Sequence, residues 1–167
     1  CSSDLEAIGA EIACKALRRA GGFTDAEIGL VDQMILDTTL VELPNGPQQI
    51  PSTNLSRYLL DADLSNLGRD DFFDKGELQR RELDIDEGHF RRRSLQLVSA
   101  HRWFTDAARA LRQKKKDENL LLLKSMVEPS ARATPVTRSW ARVRSTTSPA
   151  TINNVDHWRS WFWIAER

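Results

Sequence analysis

Two acidic residues within one apolar segment are the residues of this sequence best suited to bind a metal ion. Residues 59–68 read Leu-Leu-Asp-Ala-Asp-Leu-Ser-Asn-Leu-Gly. In a helix the leucines occupy one sector, with Asp63 near the middle of that sector and Asp61 well to one side. An ionised carboxylate aimed into an apolar face is costly unless something neutralises it. A metal ion would do so, and so would a buried arginine or histidine, and the pattern leaves these alternatives open.

Two helices are predicted before this segment. Apolar residues at three-to-four spacing predict a first helix, with a stop at a Gly-Gly pair and an apolar stripe at Leu5, Ile8, Ile12, Ala16 and Ala20. Thr24 and Glu27 form a capping box for a second helix, which is expected from residue 25 to about residue 38. Phe23 can pack against Ile28 at the start of that helix.

The acidic segment itself is expected in a third helix. Residues 40–53 contain three prolines and an Asn-Gly pair, which predicts a loop because neither a helix nor a central strand accommodates them. Ser52 or Thr53 can then cap a helix that reaches about Leu67 and stops at Gly68.

Further helices complete the expected fold. Asp70 or Asp71 can cap a fourth helix, and a long helical pattern follows over residues 90–127, either as one helix or as two broken near Thr105 or Lys116. No stretch shows strand alternation with hairpin turns, so the predicted class is all-α, an irregular helical bundle.

Composition excludes several classes of protein. The chain has 167 residues, which is one domain's worth and too short for a large multidomain enzyme. The longest apolar run covers only five residues, 161–165, so no membrane span is expected. Because 24 basic residues balance 24 acidic ones, nucleic-acid binding is not supported either. We expect one domain over residues 5–127 and an irregular tail over residues 128–167, which contains Ser, Thr, Arg, Pro and Trp.

The first residues suggest that the sequence is a fragment. Residues 1–5, Cys-Ser-Ser-Asp-Leu, lack an initiator Met and match one frame of a common sequencing-adapter oligonucleotide. We therefore expect a metagenomic gene fragment cut at its 5′ end, and a frame error would account for the different composition of residues 128–167. The only cysteines are Cys1 and Cys14, too few for a disulfide framework and typical of a reducing cytoplasm.

Other residues that could do chemistry have simpler explanations. His101 lies on the apolar stripe of the long helical pattern, where a hydrogen-bonded core histidine is more common than a metal ligand. Basic clusters at residues 91–93 and 114–116 have acids nearby and are typical of solvated helix faces.

Several of these segments together resemble the HD-domain metal-dependent phosphohydrolases, in the branch with an Asp-Ala-Asp-Leu-x-x-Leu-Gly segment. The resemblance spans roughly residues 6–125. It is carried by residues 60–68, preceded by residues 34–39 (Met-Ile-Leu-Asp-Thr-Thr) and followed by Phe72-Phe73, Glu77-Leu78 and Arg81-Glu82-Leu83. It implies a helical bundle of HD-domain type, incomplete at its N-terminus, that binds one or two divalent metals through a His, a His-Asp pair and a later Asp.

The resemblance places the last of these metal ligands at Asp63. It leaves Asp61 as an acid that contacts a metal ligand but not the metal, or that caps a helix. The first His and the His-Asp pair have no counterpart and would precede Leu5. Some members also carry a His shortly after the threonine of the second helix, and none follows Thr38 or Thr39 here. The resemblance therefore implies that the chain alone binds metal weakly and is inactive.

The implied cofactor is a divalent metal ion. Imidazole and carboxylate ligands together suit Mn, Fe, Zn, Ni or Mg, and such an ion polarises a phosphoryl oxygen and acidifies its bound water. The expected function is thus hydrolysis of a nucleotide or another small phosphorylated substrate in the cytoplasm. The alternative is a non-catalytic all-helical signalling or partner-binding module in which Asp63 pairs with a buried base. The oligomeric state stays open.

Overall fold

The computed structural model describes residues 4–127, which contain six α-helices and one short β-hairpin. The elements are α1 (Asp4–Ala20), α2 (Asp25–Leu36), β1 (Val41–Leu43), β2 (Gly46–Gln48), α3 (Asn54–Asp63), α4 (Phe72–Glu82), α5 (Glu87–Ala100) and α6 (Asp106–Val127), with a 3-10 turn at Ser65–Gly68. The predicted all-α class is confirmed. The tail predicted at residues 128–167 lies outside the described residues, and so does Cys1.

Local chemistry fixes where the first two helices end and begin. α1 ends at the Gly-Gly pair, where Gly21 and Gly22 adopt left-handed φ angles of 71° and 82°. The capping box is present: Thr24 Oγ1 accepts from the Glu27 amide at 3.3 Å, and Glu27 Oε2 accepts from the Thr24 amide at 2.7 Å. α2 ends at Leu36, two residues before the predicted end.

The face of α1 that meets the protein differs from the predicted one. All five residues of the predicted apolar stripe are exposed, with exposed fractions of 38%, 48% and 60% for Leu5, Ile8 and Ile12. The buried side chains instead follow a stripe of mostly small residues, Glu6, Ala10 and Cys14. Both stripes have helical spacing, so periodicity alone could not choose between them.

Residues 40–53 contain an antiparallel hairpin where only a loop was predicted. Val41 pairs with Gln48 and Leu43 pairs with Gly46. The prediction excluded a central strand, but both strands of a two-stranded sheet are edge strands, where proline is tolerated. The hairpin lies close against α5: a Cβ added at Gly46, whose φ is 112°, would be 3.1 Å from the Ala100 Cβ.

The acidic segment does not form one continuous helix. α3 starts after Thr53, whose hydroxyl accepts from the Ser56 amide at 3.0 Å, but it ends at Asp63 rather than near Leu67. The 3-10 turn that follows packs against α6. A Cβ added at Gly68 would lie 2.5 Å from the backbone oxygen of Arg112. Glycine is therefore required here by close approach to another helix.

The long pattern after residue 90 is two helices. α5 ends at Ala100 and α6 begins at Asp106, so the break falls near Thr105, one of the two predicted positions. The turn between these helices packs inward and supplies Trp103 to the core. The core joins the 3-10 turn, α4, α5 and α6 through Leu67, Phe72, Leu97, Val98 and Leu123. Leu40, Leu64 and Trp103 join it from the segments between these elements. No helix within residues 4–127 combines the length and apolar content needed to cross a bilayer.

Candidate functional site

Asp63 is a partly buried carboxylate with an amide neighbour and an acidic neighbour. Gln49 Nε2 donates to Asp63 Oδ2 at 2.6 Å and also to the Thr38 carbonyl at 2.7 Å. Burial raises the pKa of Asp63 to about 6; the Gln49 hydrogen bond opposes this rise, and the charge of Glu6 adds to it. Asp63 is also the last residue of α3, where the helix dipole disfavours a negative charge. Among the described residues, no basic group acts on its pKa.

Two buried oxygens belong to the same group of side chains and lack hydrogen-bond partners. Glu6 is 8% exposed and Gln49 is 4% exposed. Neither Glu6 Oε2 nor Gln49 Oε1 has a partner within residues 4–127. Buried oxygens of this kind are costly unless a donor or a cation reaches them. The three side chains Glu6, Gln49 and Asp63 are called the acidic pocket below.

The donor set of the acidic pocket fits a hard divalent cation only in part. Carboxylate and amide oxygens suit Mg²⁺ and Mn²⁺, and a cation would offset the charge of Asp63 and Glu6. The part of the chain that the structure describes holds no group of three or more His, Cys, Asp or Glu residues arranged for a metal. The acidic pocket therefore supplies some ligands of a metal site but no imidazole.

Asp61 performs a different task from Asp63. It is 6% exposed, and its two oxygens accept from the amides of Phe104 and Thr105, both at 2.8 Å, and from Thr105 Oγ1 at 2.7 Å. Thr105 Oγ1 in turn accepts from the Ala108 amide at 3.2 Å. Asp61 thus holds the start of α6 against α3. The prediction that Asp61 also contacts a metal ligand stays a prediction.

Asp37 shows how this fold satisfies a buried acid. It is 8% exposed and accepts from Gln33 Nε2 at 2.9 Å and from the amide and hydroxyl of Ser52 at 2.8 and 2.6 Å. Burial acts to raise its pKa, but hydrogen bonds from Ser52, Ser56 and Gln33 outweigh burial and lower the pKa. Asp37 joins the end of α2 to the start of α3 and needs no cation.

A second buried polar cluster lies around His101. The ring is 4% exposed, packs edge-on against Trp103 at 4.3 Å between centroids, and has no hydrogen-bond partner for either nitrogen within the described residues. Burial, with the charges of Lys116 and Arg102, lowers the pKa of His101 to about 3. The ring is therefore neutral. The sequence predicted a buried histidine with hydrogen bonds: the burial is confirmed, but the predicted hydrogen bonds are absent within residues 4–127.

Lys116 also departs from expectation. Residues 114–116 were expected on a solvated face, yet Lys116 is 3% exposed and donates to the His101 carbonyl at 2.5 Å. Burial, with the charge of Arg102, lowers its pKa to about 8. The long methylene stem lets a lysine on a mostly exposed helix reach inward to a carbonyl.

Sequence reasoning missed two members of the acidic pocket. Glu6 lies on the stripe with Ala10 and Cys14, and that four-residue spacing was a usable signal for its burial. Gln49 lies in the segment taken as a loop, and nothing in its local sequence marks it. Gln49 contacts Asp63, and the charge of Glu6 acts on it, from segments far apart in the chain. Local periodicity does not report such neighbours.

No protein-family model, no curated protein and no solved structure matches this chain. The likeness to HD-domain phosphohydrolases consequently stays a prediction from sequence.

Proposed function

We propose that this chain is part of a divalent-metal-dependent phosphohydrolase that acts on a nucleotide or another small phosphate ester, with Asp63 as one metal ligand. The observation that carries the proposal is the electrostatic imbalance of the acidic pocket. Asp63 lies at the C-terminal end of a helix near Glu6, and the hydrogen-bond donor that it has within residues 4–127 is the neutral amide of Gln49. A cation would offset this imbalance.

The residues of the chain have distinct roles in this proposal. Asp63 binds the cation, and Gln49 orients its carboxylate by donating to Oδ2, while Gln49 Oε1 has no hydrogen-bond partner within residues 4–127. Glu6 adds a second negative charge to the pocket. When bound, a divalent cation polarises a phosphoryl oxygen and lowers the pKa of its water.

We expect the chain alone to bind metal weakly and to be inactive. Two carboxylates and an amide give limited affinity, and the resemblance assigns the remaining ligands, a His and a His-Asp pair, to sequence upstream of Leu5. We also propose a cytoplasmic location and a small phosphorylated substrate rather than a nucleic acid. The location is supported by Cys14, which is buried and unpaired.

The test compares two proteins from the same gene: residues 1–167 and the product of a longer reading frame that extends upstream. Metal content and hydrolysis of p-nitrophenyl phosphate and nucleoside monophosphates are measured with Mn²⁺ and with EDTA. We expect Mn²⁺-dependent turnover from the longer protein and background turnover from the shorter one. Asp63→Asn should lower turnover of the longer protein by at least about 100-fold, whereas Asp74→Asn, on the exposed side of α4, should not.

Two results would overturn the proposal. One is turnover of the longer protein that survives both EDTA and Asp63→Asn. The other is robust turnover from residues 1–167 alone, because their described part lacks a complete ligand set.

A partner-binding helical module is the second candidate, and the exposed apolar stripe of α1 favours it. Leu5, Ile8 and Ile12 present one apolar face at three-to-four spacing. In such a module Asp63 would pair with a basic side chain of the partner. No phosphatase activity would then appear in any longer protein from the gene.

A further inference from the structure

The helix α1 presents an apolar stripe that no other part of the described chain covers. The stripe consists of Leu5, Ile8, Ile12, Ala16 and Ala20, which recur at spacings of three and four residues and are all exposed. Ile12, at its centre, is 60% exposed. Single apolar residues are normal on a protein surface, but a continuous stripe along a helix is typical of a surface that binds another protein.

The size of the side chains changes along this stripe. Its large side chains end at Ile12, and the residues after Ile12 are alanines. In an antiparallel pair of α1 helices centred on Ile12, positions equally far from Ile12 face each other, so Ile8 lies opposite the partner's Ala16. Each large side chain then meets a small one, which permits close packing. A parallel pair would place alanine against alanine and leave gaps beside Ala16 and Ala20.

The charges of α1 divide at the same place. Its acidic residues all precede Ile12 and its basic residues all follow it: Asp4, Glu6 and Glu11, then Lys15, Arg18 and Arg19. Antiparallel pairing brings the acidic half of each helix beside the basic half of the other, whereas parallel pairing brings like charges together. Glu11 and Lys15 flank Ile12 and are both more than half exposed, so they can form ion pairs across the contact.

We infer that two copies of this chain associate through α1, in antiparallel orientation, about a twofold axis that passes near Ile12. Side-chain size and charge are each complementary to the same helix turned end for end, as the interface of a twofold dimer requires. A surface that binds a different protein would not require this self-complementarity.

The expected dimer is weak. α1 has 17 residues and is about 25 Å long, and a contact between two such helices is smaller than most stable dimer interfaces. The dissociation constant is therefore expected between about 1 and 100 µM. Association of the chains is measured without any enzymatic turnover, so its outcome is independent of the phosphohydrolase proposal.

The test is sedimentation velocity of the full chain from about 1 to 300 µM, where we expect a reversible monomer–dimer equilibrium. Ile12→Lys should weaken dimerisation by at least about 30-fold, because it places two lysines together at the twofold axis. The control is Leu121→Lys, since Leu121 is an apolar residue of α6 that is 67% exposed, and it should leave the dissociation constant unchanged within about twofold. Circular dichroism and thermal unfolding establish that both variants fold.

Disulfide cross-linking tests the orientation. Chains with Ile8→Cys and chains with Ala16→Cys, both also carrying Cys1→Ser, are mixed and oxidised; the other cysteine, Cys14, is buried. In the antiparallel dimer the two substituted positions face each other, so the mixed disulfide should form readily. Either variant alone should cross-link poorly, because the two copies of one position lie about 12 Å apart along the helix axis.

Two sedimentation results would overturn the dimer. One is a monomer at every concentration, which would leave the stripe of α1 to a different partner. The other is a dimer that withstands Ile12→Lys. Cross-linking of Ile8→Cys chains to one another in preference to Ala16→Cys chains would overturn the antiparallel orientation.

Discussion

Asp61 and Asp63 are two residues apart, yet their surroundings are opposite. Asp61 accepts three hydrogen bonds from Phe104 and Thr105, whereas Asp63 accepts one from Gln49 and faces the charge of Glu6. Residues at this spacing point to different sides of a helix, so one segment can serve two neighbourhoods.

The partners of each carboxylate separate the structural acid from the functional candidate. The fold accounts for Asp61, because its oxygens hold the first turn of α6. The fold does not fully account for Asp63, since within the described residues the hydrogen bond from Gln49 does not outweigh the effect of burial and of Glu6 on its pKa. Burial alone would have pointed to Asp61, the more buried of the two. The uncompensated charge is what identifies the acidic pocket.

The largest effect is expected from Asp61→Ala. Loss of the carboxylate leaves two buried amides and a hydroxyl without their acceptor, which should cost about 4 kcal/mol of unfolding free energy in urea titrations at pH 7. Asp106→Ala is the control, because Asp106 starts the same helix with a side chain that is 97% exposed and should matter little. A loss below about 1 kcal/mol for Asp61→Ala would contradict the capping role.

Asp63→Asn should have the opposite sign. The pKa of Asp63 is raised from 3.8 to about 6, so its protonated form favours the folded state, and this stability is present below pH 3.8 and lost as pH rises to about 6. Asparagine stays neutral, and at pH 7 the variant should be more stable by about 3 kcal/mol, from about 1.4 kcal/mol per pH unit.

Urea titrations at several pH values measure this gain, which should shrink toward zero near pH 4. A variant less stable than the parent at pH 7 would show that the carboxylate is compensated after all. The difference between Asp61 and Asp63 would then disappear.

His101→Gln isolates the pH dependence that comes from Asp63, because His101 titrates in an overlapping range and affects stability with the opposite sign. Its pKa is lowered from 6.5 to about 3, so the stability it contributes is complete above pH 6.5 and is lost as pH falls toward 3. Between pH 7 and pH 5 the parent should lose about 2 kcal/mol from this residue. His101→Gln removes that loss and leaves the profile of Asp63 visible. His89→Gln, an exposed control, should keep the loss, and equal profiles for the two variants would count against a neutral buried His101.

The smallest effect is expected from Glu6→Gln. Removing this charge should lower the pKa of Asp63, measured by carboxyl carbon chemical shifts across a pH titration, and should raise stability at pH 7 by about 1 kcal/mol. Glu11→Gln, on the exposed side of α1, is the control. An Asp63 pKa that does not move in Glu6→Gln would remove Glu6 from the acidic pocket.

The parts of the fold that follow from local chemistry were predictable. The capping box of Thr24 and Glu27 and the left-handed Gly21 each set a helix boundary through neighbouring residues alone. The side of α1 that is buried was not predictable, because it depends on which element packs there. The hairpin was missed because its prolines were taken as evidence against a strand. Proline is excluded only from central strands, and both strands of this hairpin are edge strands.

The candidate site was predictable to a similar extent. The helical wheel selected Asp61 and Asp63 from one segment, but it could not show that Asp61 reaches Thr105, 44 residues further along the chain. It also could not bring Glu6 and Gln49 to Asp63. Glu6 comes near Asp63 because α1 packs against α2 and α2 packs against α3, and Gln49 reaches Asp63 from the segment after β2. Periodicity within one segment does not encode this packing.

The most direct test of the metal proposal is Mn²⁺ titration of the full chain followed by amide NMR. Paramagnetic Mn²⁺ broadens signals close to where it binds, so weak binding is detectable. We expect selective broadening at Glu6, Gln49 and Asp63 at low Mn²⁺ concentrations, and its loss in Asp63→Asn. Broadening confined to exposed acids such as Asp70, or unchanged at Gln49 in Asp63→Asn, would contradict the assignment of Asp63 as a metal ligand.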